Sequence, residues 1–315
     1  MNTYQHVPVL LNEVLEILQP SPGQYFVDGT LGGGGYSTAL LERVAPNGKV
    51  LSIDLDQVAI DNFAQQLEQS GLSASSVIHH GNFRDLDEII EKHEFTDIAG
   101  IVADLGLSSY HIDASERGIS FQKKEPLDMR FDTTKDTPDA RFILNNHTEA
   151  ELAKLFTDYG EEKFSRQIAR EIVKIRQEKL LHYTTDLVEA IQEALPKPVK
   201  HLYQDSARRI FQALRIAVNH ELESLETFLP KALDLVAPGG KIAIVSFHSL
   251  EDRIVKQFFA QAAIGCICPP EFPICQCGQT PRVKILTKKP ITATDQELSL
   301  NMRSKPAKLR AIQKL

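Results

Sequence analysis

Four consecutive glycines, Gly32 to Gly35, form the centre of a segment that we call the glycine loop (residues 28–37). Glycine has no Cβ, so the backbone there can turn sharply and approach a ligand closely. The apolar run 25–27 predicts a buried strand before the loop. Residues 38–41 predict the start of a helix after it, whose first N–H groups suit an anionic ligand. A flexible linker is the alternative, but the flanking strand and helix favour a cradle for a nucleotide-type cofactor.

Acidic residues end two further predicted strands. Asp54 ends the apolar run 50–53 and lies 20 residues after Gly34, a spacing that suits a carboxylate bound to the hydroxyls of a cofactor ribose. Asp104 ends the run 98–103. Ligands bind beyond the carboxyl ends of the strands in an open parallel sheet. We therefore expect the glycine loop, Asp54 and Asp104 to line one pocket. Phe83 follows a third short strand, where it either packs on an adenine or belongs to the core.

All four cysteines lie in one short window, as two Cys-X-Cys pairs: Cys266 with Cys268, and Cys275 with Cys277. Four thiolates in one proline-containing loop can satisfy tetrahedral zinc. The usual spacing in structural zinc sites is Cys-X-X-Cys or longer, so four reduced cysteines that bind no metal fit the pattern equally well. A secreted disulfide framework would not confine its cysteines to one window.

The composition indicates a folded protein of enzyme size, with 315 residues of which 42% are hydrophobic. No apolar run approaches the ~20 residues that span a bilayer, and no signal-peptide pattern is visible, so we expect a cytoplasmic protein without a membrane partner. The net charge of −7 is unevenly spread, because residues 282–315 carry nine Lys or Arg against two acids. This basic segment predicts either RNA-phosphate contacts or a solvated end.

Strand and helix patterns alternate at both ends of the chain but not between about residues 112 and 200, where helical patterns dominate. Thr148 and Glu151 form a capping box, and another helix is expected to end at Pro196. A fifth strand is expected at 242–247. The predicted fold is therefore α/β, with a Rossmann-like sheet in residues 1–110 and 202–315 and an inserted all-helical domain in residues 111–201.

The sequence of the glycine loop narrows the choice of cofactor. A dinucleotide site would show Gly-X-Gly-X-X-Gly, whereas here four glycines are followed by Tyr36. The segment 235–241 resembles the leucine-x-proline-glycine-glycine turn of class I methyltransferases. These features favour S-adenosylmethionine over NAD.

Seven motifs together resemble the small-subunit ribosomal RNA cytosine-N4 methyltransferase family, also called the MraW family, and the resemblance extends from the N-terminus to residue 310. They are 6–11 (HVPVLL), 28–35 (DGTLGGGG), 104–109 (DLGLSS), 116–118 (ERG), 126–130 (PLDMR), 211–219 (FQALRIAVN) and 246–253 (SFHSLEDR).

The resemblance implies a class I methyltransferase with a helical insertion that methylates N4 of one cytidine, cytosine 1402, in the decoding region of 16S RNA. It also implies a set of cofactor contacts: Gly34, Gly35, Tyr36, Asp54, Phe83, Asp104 and His111. Two of these depart from the family pattern, which has histidine at Tyr36 and proline-glutamine at 110–111. Both replacements keep a hydrogen-bonding group, so cofactor binding is expected to survive.

Asp104 is the candidate catalytic residue. Cytosine N4 is a poor nucleophile because its lone pair is delocalised into the ring, and an acceptor on its hydrogens would favour the reactive geometry. A contact of Asp104 with the cofactor alone is equally consistent with the sequence. The expected partner is 16S rRNA, within the small ribosomal subunit, and the oligomeric state is open, with a homodimer among the options. The alternatives are a methyltransferase for another amino group and a non-catalytic assembly factor on the same fold.

Overall fold

The computed structural model describes residues 8–107, 115–266, 268 and 276–315. Contacts divide the chain into two units, Met1–Gly106 with Glu223–Leu315, and Leu107–Leu222. The observed boundaries differ from the predicted ones by four residues at the first junction and by 21 at the second. Within the described ranges, no helix combines the length and the apolar character needed to cross a membrane.

The first unit is built on one sheet, and the predicted Rossmann-like α/β fold is confirmed. The sheet order is β3-β2-β1-β4-β5-β7-β6; the first five strands pair in parallel, and β7 runs antiparallel to both β5 and β6. The strands are β1 (Tyr25–Asp28), β2 (Lys49–Asp54), β3 (Ser76–His80), β4 (Ile98–Asp104), β5 (Val236–Ser246), β6 (Val283–Ile285) and β7 (Lys308–Lys314). The order reverses between β1 and β4, and ligands bind at such a switch point.

The α-helices of the described ranges are α1 (Leu11–Leu18), α2 (Gly35–Val44), α3 (Gln57–Ser70), α4 (Leu86–Lys92), α5 (Ala140–Asn146), α6 (Glu149–Asp158), α7 (Ser165–Ile175), α8 (Thr184–Ala194), α9 (Tyr203–Asn219), α10 (Glu221–Leu235), α11 (Ser249–Ala262) and α12 (Asp295–Leu300). Helices α5 to α9 belong to the second unit. Helix α1 begins at Leu11, directly after Leu10, which adopts a left-handed conformation with φ 55°.

Both faces of the sheet are buried, because successive residues of a strand pack into apolar clusters on opposite faces. In β1, Phe26 packs in one apolar cluster and Val27 in the other. In β4, Ile101 and Val102 separate in the same way. Side chains alternate across a strand, so a parallel strand covered by helices on both faces becomes a continuous apolar run. This is why the strands β1 to β5 of the first unit could be predicted from short apolar runs.

The basic segment 282–315 is part of the sheet. Its strand β7 lies between β5 and β6, with Leu309 and Ile312 fully buried. Arg310 Nε lies 2.6 Å and Lys308 Nζ 3.2 Å from the carboxylate of Asp252. The expectation of a solvated end is therefore wrong, because the segment supplies strands to the sheet, and its Arg282, Lys308 and Arg310 pair with acids elsewhere in the same unit.

The second unit has its own apolar core, formed by α5 to α9. The predicted capping box is confirmed, since the side chain of Thr148 accepts the N–H of Glu151 while the Glu151 carboxylate accepts the N–H of Thr148. Helix α9, which we had placed in the methyltransferase domain, packs on α6 and α8 because its apolar stripe joins this core. Helix α9 ends at Asn219, because the following residue, His220, has φ 52°.

Candidate functional site

The glycine loop contains glycines for two different reasons. Gly34 has φ 79°, and a Cβ there would clash with the ring of Phe63. A Cβ on Gly35 would clash with the ring of Pro8. Gly33 is exposed and has no atom within 4 Å of the place where its Cβ would be. The loop is thus tightly packed at the start of α2 and open at Gly33, as a cradle for a ligand must be.

Asp28 anchors the start of the loop, and our sequence analysis did not single it out. Its buried carboxylate accepts the Ser37 hydroxyl at 2.7 Å and the N–H of Thr30 at 3.2 Å. The Ser37 hydroxyl also lies 2.7 Å from that of Ser52 on β2. Burial raises the pKa of Asp28 to about 6. The one indication in the sequence was an acid directly after an apolar strand and directly before the glycines.

Asp54 holds the middle of the loop. One carboxylate oxygen accepts the N–H of Gly32 at 2.7 Å, and the other accepts the N–H of Asp56 at 2.8 Å. The carboxylate is half-buried at the end of β2. The structure therefore brings Asp54 to the glycine loop, as the spacing predicted, while its contact with a ribose stays a prediction.

Asp104 is joined to the same loop from β4. Its N–H donates to the Thr30 hydroxyl at 2.6 Å, and its carboxylate accepts the N–H of Gly106 at 3.0 Å. Burial, together with the negative charges of Asp28 and Glu251 and against the lowering effect of the Gly106 hydrogen bond, raises the pKa of Asp104 to about 7. The carboxyl group is therefore poised to exchange a proton near neutral pH.

Phe83 and Tyr36 are both engaged in packing. The half-buried ring of Phe83 meets Phe228 edge-on, with ring centroids 5.0 Å apart. This contact is the core role that we had considered, and an adenine contact stays a prediction. Tyr36 is buried, and its hydroxyl donates to the carbonyl of Val9. A contact of Tyr36 with a ligand would therefore have to come from its backbone N–H at the start of α2.

His111, the remaining predicted cofactor contact, lies outside the described residues. Two polar residues in the family-like motif of α9 have structural partners. Arg215 pairs with both carboxylate oxygens of Glu221, at 2.8 and 2.9 Å. The amide of Asn219 accepts the N–H of Phe131 at 2.8 Å and donates to the carbonyl of Met129 at 2.8 Å. The Asn219 contacts tie the end of α9 to the segment that precedes α5, and the Arg215 pair joins α9 to the first residue of α10.

Three of the four cysteines converge in the cysteine loop, residues 264–281. The sulfur atoms of Cys266, Cys268 and Cys277 all lie within 4.8 Å of one another. Cys268 Sγ accepts the N–H groups of Gln276 at 3.2 Å and of Cys277 at 3.3 Å. Cys266 Sγ accepts the N–H of Cys268 at 3.4 Å. Cys275 lies outside the described residues.

Comparison with known proteins gives a consistent result. The model of the MraW methylase family matches residues 3–315. Ribosomal RNA small subunit methyltransferase H of Heliobacterium mobile is 46% identical over 313 residues, which are 99% of this chain and 99% of that protein. The protein of the same name from Syntrophotalea carbinolica is 45% identical over 99% of this chain and 98% of its own length. The crystal structure of an rRNA methylase from Streptococcus thermophilus aligns with a TM-score of 0.44 at 12% identity, covering 98% of this chain and 99% of that one.

Proposed function

Because the chain belongs to the MraW methylase family, we propose that it methylates the N4 amino group of a cytidine in 16S ribosomal RNA, cytosine 1402 of the decoding region, with S-adenosylmethionine as methyl donor. The observation that carries the proposal is the glycine loop tied to the ends of two strands, through the carboxylate of Asp54 and the backbone N–H of Asp104. It occurs in a chain that is 46% identical to a relative named as a small subunit methyltransferase.

The glycine loop fits the cofactor in three respects. Gly33 leaves open space where a side chain would stand, and Gly34 takes a backbone conformation suited to glycine. Asp54 offers a half-buried carboxylate beside the loop for the two hydroxyls of a ribose. S-adenosylmethionine, when bound, supplies a methyl group that its sulfonium already activates for transfer. We assign its contacts to Gly34, Gly35, Tyr36, Asp54, Phe83, Asp104 and His111, with Tyr36 acting through its backbone.

Asp104 is the group that we assign to the amino nitrogen. A carboxylate that accepts a hydrogen bond from N4 orients the nitrogen and favours localisation of its lone pair. The bond from Gly106 holds one of its oxygens, so the direction of the carboxylate is set before a substrate arrives. Positioning of this kind can supply much of the rate enhancement when the methyl donor is already activated.

The proposed substrate is 16S rRNA within the small ribosomal subunit. The relatives carry the name of ribosomal RNA small subunit methyltransferases, and an enzyme acting on that RNA in a bacterium works in the cytoplasm. The target base must leave its stack to reach a methyl donor, as bases modified inside folded nucleic acids generally do.

Transfer of a labelled methyl group tests the proposal. Small subunits, naked 16S RNA and DNA are incubated with the protein and labelled S-adenosylmethionine, and the modified nucleotide is mapped. We expect label on N4 of a single cytidine of 16S RNA. Asp54→Ala should abolish transfer, whereas Asp61→Ala, the same change at an exposed position of α3, should not. Binding of NAD without S-adenosylmethionine, or label only on DNA or protein, would overturn the proposal. An assembly factor would keep its cellular role in Asp54→Ala.

A structural zinc ion in the cysteine loop is a separate part of the proposal. Cysteine thiolates are a ligand type that zinc prefers, and three cysteine sulfur atoms lie together, two of which accept backbone N–H groups. Elemental analysis of protein purified without chelator should find about one zinc per chain. Cys266→Ser with Cys277→Ser should lose it. An active, folded wild-type protein with no zinc would end the idea.

A further inference from the structure

The N-terminal segment Pro8–Leu10 is held by a residue from the other end of the chain. Glu297, on the short helix α12, accepts the N–H of Leu10 through its carboxylate oxygen Oε1 at 2.8 Å. The two residues are 287 positions apart in the sequence. Glu297 is half-buried, and Leu10 is almost completely buried, with 1% of its surface exposed. The contact therefore lies at least partly away from solvent, where a charge-assisted hydrogen bond is worth most.

Leu10 needs such a restraint. Its φ is 55°, in the left-handed region that residues with a side chain rarely adopt, and no side chain caps α1 at this position. A conformation of this kind persists only when its surroundings determine it, and it is more frequent at ligand sites than elsewhere. Leu10 is restrained by the hydrogen bond from its N–H to Glu297, by the hydrogen bond from the Val14 N–H to its carbonyl at 3.0 Å, and by the burial of its side chain.

The restrained segment lies directly on the start of α2. The carbonyl of Val9 accepts the hydroxyl of Tyr36, and the ring of Pro8 occupies the place where a Cβ on Gly35 would stand. Both contacts fall in the first turn of α2, whose N–H groups have no partner within the helix itself. A shift of Leu10 would therefore move the atoms that hold this turn against the glycine loop.

We propose that Glu297 is a positioning residue for S-adenosylmethionine. By fixing Leu10 it holds Val9 on Tyr36 and Pro8 on Gly35, and so keeps the first turn of α2 in the position that the cofactor requires. The inference rests on the proposed function only in taking this turn as the cofactor site. It also assigns the hydroxyl of Tyr36 an indirect role, through the segment and not through the ligand.

Binding of S-adenosylmethionine to the full-length protein, measured by titration calorimetry below the unfolding transition, tests this. Glu297→Ala removes the acceptor and should weaken binding about tenfold, the equivalent of one charge-assisted hydrogen bond. Glu297→Gln keeps an oxygen acceptor and should stay within about threefold of the wild type. Gln296→Ala, at the exposed neighbouring position of α12, is the matched control and should leave affinity unchanged. In steady state, KM for the cofactor should rise while kcat and KM for the RNA stay the same.

Two further outcomes separate the inference from a purely structural role. Tyr36→Phe should also weaken binding, and its effect should not add to that of Glu297→Ala, because both act through the same segment. A lower melting temperature with unchanged affinity in the folded Glu297→Ala protein would overturn the inference alone, and so would additive effects. A wild-type protein that binds no S-adenosylmethionine would overturn the proposed function together with it.

Discussion

The glycine loop and the cysteine loop both adjoin a helix of the same unit, but different atoms hold them in place. The polar groups of the glycine loop bond to residues on other strands: Gly32 to Asp54 on β2, and Thr30 to Asp104 on β4. In the cysteine loop, the sulfur atoms of Cys266 and Cys268 accept N–H groups of the loop itself. The two ends of that loop are joined by a backbone hydrogen bond from the Arg282 N–H to the Ala262 carbonyl, at 2.9 Å.

This comparison indicates which of the two loops requires a ligand to define its shape. The sheet organises the glycine loop in advance, so binding there need not pay for ordering the backbone. In the described part of the cysteine loop, three thiols, two of them exposed, lie around one point, and the N–H groups that Cys266 and Cys268 accept come from the loop. A metal at that point would supply the connections that strands supply to the glycine loop. Three experiments test this difference between the two loops.

The largest effect is expected from Gly34→Ala. Its Cβ would clash with Phe63, and the residue would need a φ of 79°, which alanine rarely adopts. Either the loop or α3 must move, so we expect affinity for S-adenosylmethionine to fall by at least about 100-fold. Titration calorimetry on the folded variant measures this directly.

Gly33→Ala is the matched control for that change. The same methyl group is added one residue earlier, where nothing lies within 4 Å. Its effect in the absence of a ligand should be small, and a loss of affinity in a fully stable Gly33→Ala protein would mark direct contact with the cofactor. Equal, small effects of both substitutions would show that the glycine loop is not held as we describe.

An intermediate effect is expected from pH, through Asp104. With a pKa of about 7, the group is mostly protonated below neutral pH and mostly carboxylate above it. If the carboxylate orients N4, the rate of methyl transfer at saturating substrates should rise about tenfold per pH unit below 7 and level off above it. Asp104→Asn should lower the rate and remove this dependence. A wild-type profile that is flat between pH 6 and 8 would restrict Asp104 to cofactor binding.

The contrast between the loops also explains which structural features could be predicted from the sequence. The glycine loop is local: β1, the turn and α2 follow one another within 20 residues, from Tyr25 to Val44. Its packing partners Asp54 and Asp104 both end apolar runs, and a parallel sheet brings the ends of such runs to one edge. Short-range pattern and a general rule of sheet topology were therefore sufficient to bring these residues together.

The remaining features depend on pairings that no local pattern reveals. Strand β7 joins the sheet through Lys308 beside Ser246 on β5, and a count of its positive charges could not show that Asp252 neutralises two of them. The bond between Leu10 and Glu297 spans nearly the whole chain. Helix α9 has an apolar stripe that would suit either domain, and only the packing of that stripe assigns it to the helical unit.

The smallest effect on methyl transfer is expected from the cysteine loop. Cys266→Ser with Cys277→Ser removes two of the three described thiols and should abolish metal binding, because serine is a poor zinc ligand. The glycine loop makes its bonds to β2 and β4, so affinity for S-adenosylmethionine should stay within about twofold of the wild type. Cleavage by a protease between residues 264 and 281 should become faster, because the loop loses its internal connections. Calorimetry and mass spectrometry of the fragments measure the two effects on one sample. Loss of cofactor affinity on the scale of Gly34→Ala would mean that the two loops form a single structural element, which the separate hydrogen-bond partners of the glycine loop argue against.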